Sequence, residues 1–388
     1  MILKIFPGLA FILILSACSQ VETPPLSTVA QPGLDPGYRQ IQLLPTHTEV
    51  PPSTPSIPNT QTSTTLPVTQ TEPPAGTPTR EPTSITEIAA RLSGVQIDDF
   101  FEASFRELLL RDPDWLLING LADIYHPEQD QWSNRSEAYL KETAQLGRLI
   151  LDLLMEYDRS SLSPDDQLSY DIYAWFLEDR IQGHEFMFHD MPVNSLTIWG
   201  AQNWLIDFMV NTLPIEDKQD ANTYIKRLAG IDTWVEQLLE GLQLRSQTGV
   251  IPPVFILQAS IQQINEHIGM QDDGRILPEA TRLYTSFRRQ VMQLSQLKSE
   301  EKQQMILAAR DEIVRTFIPA FAELREYLVG QIAIAPVYGG AWTLPDGRAY
   351  YAHALHHETS TGMSADEIHA LGISELERIQ GEIQFAAS

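Results

Sequence analysis

The sequence predicts a mainly α-helical protein, and three observations carry that expectation. From Asp98 onward, apolar residues recur at three- and four-residue spacing through one segment after another. Serine, aspartate and proline stand where helix starts need caps. Only one stretch, 337–355, sets turn signals around a tyrosine-rich run, so a small β hairpin is expected there and nowhere else.

The first part of the chain is of another kind. In residues 1–18, Lys4 supplies a positive start, Ile5 to Leu15 an apolar run, and Leu15-Ser16-Ala17-Cys18 a small-residue cleavage site, the pattern of a secretory signal too short to span a bilayer. Leu-Ser-Ala-Cys also resembles the lipobox of bacterial lipoproteins, which would make Cys18 the lipidated first residue of the mature protein. Each buried lipid CH₂ contributes about 0.8 kcal/mol, so two or more acyl chains hold a protein on a membrane without crossing it. The expected location is therefore outside the cytoplasm, anchored to the cell membrane or the outer membrane. Cys18 is the chain's single cysteine, which excludes an internal disulfide and a cysteine nucleophile in the body. Residues 19–85 hold 14 of the 26 prolines among Thr, Ser and Gln, with too few apolar groups to offset the entropy of ordering. A disordered tether is expected there, followed by a helical domain over 86–388.

Within that domain, Asp98 and Asp99 precede a stripe of Phe100, Phe101, Phe105, Leu108 and Leu109, with Pro113 beyond it. A second helix is expected over 136–157. Ser163-Pro164-Asp165-Asp166 opens a third, with an N-cap, proline at the first helical position and two acids on the positive helix end. This third helix carries Leu168, Ile172, Trp175 and Phe176 and should end near Gly183, leaving His184 and His189 in a loop. Further helices are expected over 200–212, 216–244, 253–269, 279–297 and 299–328, the last interrupted by Pro319.

The most informative stretch is 347–372, which gathers four of the nine histidines. Asp346-Gly347 reads as a tight turn and the run after it as a strand, with Tyr351, His353, Leu355 and His357 on one face. Thr359 to Gly362 should break the strand. Ser364 and Glu367 then form a capping box for a helix whose apolar positions are Ile368, Leu371, Leu376, Ile379 and Ile383. That pattern runs to Ser388 without a closing Gly or Pro, so the domain is expected to be incomplete at its C-terminus.

The run DGRAYYAHALHHETSTGMSADEIHALGISELERI resembles the segment before the active-site helix in the bacterial domain-of-unknown-function 885 (DUF885) family, whose members resemble zincin-type metallopeptidases. LSPDDQLSYDIY, YIKRL and GLQLRSQTGVIPP are similar to earlier landmarks of the family, extending the resemblance from about Asp98 to the end. The resemblance implies a multi-helix, zincin-like (neurolysin- or ACE-like) body, with Tyr350, Tyr351, His353 and His369 lining a substrate cleft. The plainer reading of His369 is a helix-start histidine fixing local hydrogen bonds. The family's zinc motif, a His-Glu followed shortly by Pro-Gly-His, is absent from these residues. No metal site or cofactor is therefore expected within the chain, and zinc is expected for the complete family domain.

Other chemistry is bounded by what the sequence lacks. A net charge of -25 opposes nucleic-acid binding, because an acidic surface repels phosphates. There is no His-Glu-x-x-His helix motif, no Gly-x-Ser-x-Gly elbow and no phosphate loop. His353 and His357 have a metal-ligand interval with Glu358 adjacent, but the expected strand removes the helical context such a pair needs. Three functions remain. One is the N-terminal portion of a surface-anchored, zinc-peptidase-like lipoprotein, inactive by itself and contacting a peptide substrate. The others are a non-catalytic envelope lipoprotein that binds a peptide or protein partner, and a helical spacer.

Overall fold

The computed structural model describes residues 84–197 and 200–387, and all structural statements concern these. The signal and lipidation expectations at Cys18, and the tether up to residue 83, lie outside them. Four helices form a first packed layer: α1 (Ile85–Leu92), α2 (Ile97–Leu109), α5 (Glu137–Leu154) and α6 (Pro164–Gly183). Ser84, Ser136 and Ser163 cap α1, α5 and α6, each accepting a backbone N–H of the first turn. Phe100, Phe101, Leu146, Ile150, Leu154 and Leu177 fill the space between them.

The stripe read for α6 faces another way. Tyr170, Tyr173, Ala174 and Leu177 turn inward, whereas Leu168 and Ile172 are exposed. Positions 170, 173, 174 and 177 share one helical face. Tyrosine can occupy it because its hydroxyl finds a partner: Tyr173 Oη lies 2.9 Å from Ser104 Oγ, and its ring meets Phe101 edge-on at 5.9 Å.

A second, larger core is built by α7 (Ala201–Asp207), α8 (Lys218–Ala229), α9 (Ile231–Gln247), α10 (Val254–His267), α11 (Arg282–Gln293), α12 (Ser299–Glu312) and α13 (Ile318–Gln331). The single helix expected over 216–244 is two helices that meet at Gly230. A Cβ there would stand 3.2 Å from the Trp132 ring, so glycine lets that indole lie against the junction. Between α12 and α13 a π-helical turn, Ile313–Phe317, precedes Pro319, which occupies the first turn of α13 where its missing N–H is tolerated.

Residues 112–135, with the short helices α3 (Pro113–Ile118) and α4 (Ala122–Tyr125), stitch the two cores together. Asp114 and Arg227 form a fully buried ion pair at 2.8 Å. The same carboxylate accepts Ser133 N–H at 3.0 Å, and Arg227 Nε donates to Gln129 O at 2.6 Å. These extra hydrogen bonds are what a desolvated pair needs to hold its geometry.

No hairpin forms over 337–355. Gly347–Thr359 is a helix, α14, and the sole β-type pairing among the described residues is an isolated bridge between Met270 and Ile276. A Cβ at Gly347 would stand 1.7 Å from Ala341 O, so glycine permits the tight entry, with Asp346 before it in the left-handed region. Three alanines and Leu355 favour the helix, and one packed face overrides the β preference of Tyr350 and Tyr351. The Ser364–Glu367 capping box is present and opens α15 (Ala365–Ala387), none of whose residues is buried. No helix of the described residues is long and apolar enough to cross a membrane.

Candidate functional site

Because residues 347–359 are helical, the histidines fall into sets different from those an extended strand would make. Tyr350, His353 and His357 occupy one face, spaced three and four apart, and pack on the C-terminal end of α6 and the loop after it. His353 stacks on Phe186 with centroids 5.4 Å apart, and Tyr350 lies 5.8 Å from Phe186 and 5.4 Å from His189. Gly183, the last residue of α6, makes room: its Cβ would stand 3.2 Å from His353 Nε2.

The charged partner on this face is Asp179. Its Oδ2 is 2.7 Å from His357 Nδ1; Asp179 is buried, while the His357 side chain is 56% exposed. A carboxylate only accepts, so Nδ1 carries the hydrogen, and in a neutral imidazole Nε2 keeps its lone pair on the exposed side. His189 is fixed in the same sense, with Nε2 donating to Pro345 O at 3.1 Å. Three buried polar atoms here have no hydrogen-bond partner: Asp179 Oδ1, His353 Nδ1 and His189 Nδ1. Burial, with Asp190 adding to it and Arg245 opposing, pushes the Tyr350 hydroxyl pKa up, so it remains a donor through the neutral range.

Tyr351 faces the other way. With Arg348, Leu355, His356, Met363 and Asp366 it lines an open cleft of about 490 Å³ between α14 and the start of α15. His356 Nδ1 donates to Thr361 O at 2.9 Å, which orients the ring at the edge of that cleft. His369 is exposed on α15 and is not among the residues lining the cleft. Of the four candidate residues, the fold thus brings Tyr350 and His353 together, places Tyr351 on the opposite face and leaves His369 apart.

Sequence reasoning missed Asp179 and Phe186. Asp179 carried one signal: an acid within about a turn of a helix C-terminus opposes the helix dipole, so its presence there asks for a compensating partner. Phe186 carried none.

The arrangement does not fit a zinc ion. His353 and His357 do stand at the required helical interval, but His357 Nδ1 is engaged by Asp179, the His353 ring is stacked on Phe186, and no three His, Cys, Asp or Glu residues converge on a metal position among the described residues. What the cluster can do is present a directed imidazole, His357, and a phenol donor, Tyr350, on one helix face, a hydrogen-bonding surface.

The family model for a bacterial protein of unknown function, DUF885, matches residues 113–388. The chain belongs to this family. No curated protein matches its sequence. Its fold is shared with the crystal structure of a candidate lipoprotein from Colwellia psychrerythraea, at a TM-score of 0.60 and 19% identity over 77% of this chain. This DUF885 chain spans 50% of that structure's length.

Proposed function

We propose that this DUF885 chain is the recognition portion of an envelope-anchored protein of zincin-like peptidase type, and that it presents α14 to a peptide. The observation that carries this reading is the face of Tyr350, His353 and His357, where the buried Asp179 carboxylate directs the exposed His357 imidazole and a phenol donor stands about two helical turns away. Such a surface recognises peptide carbonyls and amides by hydrogen bonding. The cleft on the opposite face of α14, lined by Tyr351 and His356, is of a size to take a side chain or two. The envelope location is supported by the sequence at Cys18 and by the description of the Colwellia structure as a lipoprotein.

On this reading the zinc of the complete family domain would be held by residues outside 84–387; among the described residues no three candidate ligands converge. The alternative, a non-catalytic lipoprotein that binds a peptide or protein partner, draws on the same observation. One experiment separates them. The purified chain is analysed for bound zinc and assayed against a mixed peptide pool with and without chelator, alone and with the remaining part of a longer DUF885 relative. Peptide binding without hydrolysis by the chain alone, gaining chelator-sensitive cleavage on complementation, is the expected result. Stoichiometric zinc with cleavage by the chain alone would place the active site here, with His353, His357 and Glu358 the first residues to replace. Binding that never becomes hydrolysis would leave the non-catalytic reading.

A further inference from the structure

Outside the α14 face, the densest concentration of unmet hydrogen-bonding capacity surrounds three tryptophans. The rings of Trp132, Trp204 and Trp234 stand 6.1–6.2 Å apart in every pairing, with Phe208 5.4 Å from Trp132 and 5.1 Å from Trp204. Two guanidinium groups lie on this aromatic block. Arg227 is 4.8 Å from the Trp132 and Phe208 rings and is neutralised by Asp114. Arg135 is 4.9 Å from Trp204 and 5.3 Å from Trp234, and its side chain forms no ion pair and no hydrogen bond among the described residues.

The unpartnered atoms around the block are donors: Arg135 Nε, Arg227 Nη2 and Trp234 Nε1 are all buried without an acceptor. The nearest acids are already committed. Asp114 holds Arg227 and Ser133, Asp112 takes the Ser133 hydroxyl and Trp115 N–H, and Asp190 holds Arg245. None of Arg135's side-chain nitrogens has a hydrogen-bond partner among the described residues and only Nε is fully enclosed, so Nη1 and Nη2 are the edge left open to an acceptor. A guanidinium pinned on two indoles gives up little rotamer freedom when an acceptor arrives.

We propose that the terminal edge of Arg135, held against Trp204 and Trp234, is a binding site for a carboxylate. A planar monoanion matches the parallel N–H fork. Phosphate and polyanions are disfavoured, because the negative charges of Asp112, Asp114 and Asp190 act on Arg135, the chain as a whole carries -25, and repulsion grows with the charge of the incoming anion. Asp190 acts on the charge of both Arg135 and Tyr350, and of the two sources of a carboxylate, the end of a peptide and a free small acid, the proposal takes the peptide end. This site would exist whether or not the peptidase-type reading holds, since it uses none of the residues on α14.

The test titrates the full chain by tryptophan emission and calorimetry with N-acetyl-dialanine, its C-terminal amide, and acetate. The acid should bind and the amide should not. A charge-assisted bidentate contact corresponds to about 10–100-fold in affinity, so Arg135→Lys should weaken binding by at least about tenfold, and Arg135→Gln should abolish it. Arg159→Gln, which removes the same charge from a surface pair with Asp171, should leave binding intact. Acetate binding as tightly as the dipeptide would keep the carboxylate site but assign it to small acids. Equal binding of acid and amide, or binding unaffected by Arg135→Lys, would overturn the proposal. If Arg135→Gln does not fold, the acid–amide comparison on the unmodified chain and the Arg135→Lys variant still decide it.

Discussion

Helices α9 and α15 read alike in sequence and live differently in the fold. Both carry bulky apolar residues at three- and four-residue spacing, yet α9 buries Ile231, Trp234, Val235, Leu238, Leu239 and Leu242, and α15 buries nothing. The wider contrast is between the body, α1 to α13, whose cores are closed and crossed by a buried ion pair, and α14–α15, attached by one aromatic face and a half-exposed His–Asp pair. Periodicity states which face of a helix gains from burial. It does not state what supplies the cover.

The strongest way to break this contrast is at Asp114. Replacing it with alanine leaves Arg227 charged and buried with Nη1 as well as Nη2 lacking an acceptor, so unfolding in urea should show a loss of about 3–5 kcal/mol. The two cores should loosen together, because the residues that join them hang on this pair. A loss confined to one core would show that residues 112–135 do not couple them.

Acid acts on the body next. His267 is held neutral, its pKa lowered to about 4, first by burial and then by Arg282, while Nε2 donates to Asn203 Oδ1 at 2.8 Å. The unfolded chain takes a proton on this residue near the ordinary value of 6.5, and the folded chain does not until about 4. Between those values the unfolded state binds more protons, so stability falls as pH drops through the window and levels off below it. The full effect is on the order of 3 kcal/mol. Comparing pH series for the unmodified chain and His267→Gln isolates it; parallel slopes would show that His267 titrates normally.

The sharper side of the contrast is α14. His357→Ala leaves the buried Asp179 carboxylate without its partner, at a cost of about 1–3 kcal/mol that falls on the docking of α14. Amide exchange should rise across 347–387 while the main unfolding transition stays in place. If exchange there is unchanged, the aromatic contacts through Phe186 and His189 hold α14 without the pair.

How far the sequence could be read follows the same division. The caps at Ser163 and Ser364 were legible because capping is local chemistry within three residues. The inward face of α6 was not, because Tyr173 is acceptable inside only once Ser104, far away in sequence, offers its hydroxyl. Nor was the break at Gly230, which depends on where Trp132 lies. At the candidate site, histidine density pointed to the right segment, but the alternation of Tyr351, His353 and His357 imitated a strand, and its actual partners sit on α6 and the following loop. Contacts of that range leave no mark in spacing.

The smallest effect on stability belongs to α15, and it is the most diagnostic. Leu371, Leu376, Ile379 and Ile383 are 44–63% exposed, so polar replacements remove little buried area and create no cavity. Leu376→Gln with Ile379→Gln should change the unfolding free energy by no more than about 0.5 kcal/mol. Leu257→Ala in the enclosed core should lose about 2–5 kcal/mol for a similar loss of apolar atoms. An exposed apolar stripe of this length does act between molecules, since contiguous apolar surface favours association. The unmodified chain should therefore associate with rising concentration in sedimentation, and the double variant should not. A double variant that unfolds far more readily would mean that α15 is covered in solution, and the distinction drawn between it and α9 would then be wrong.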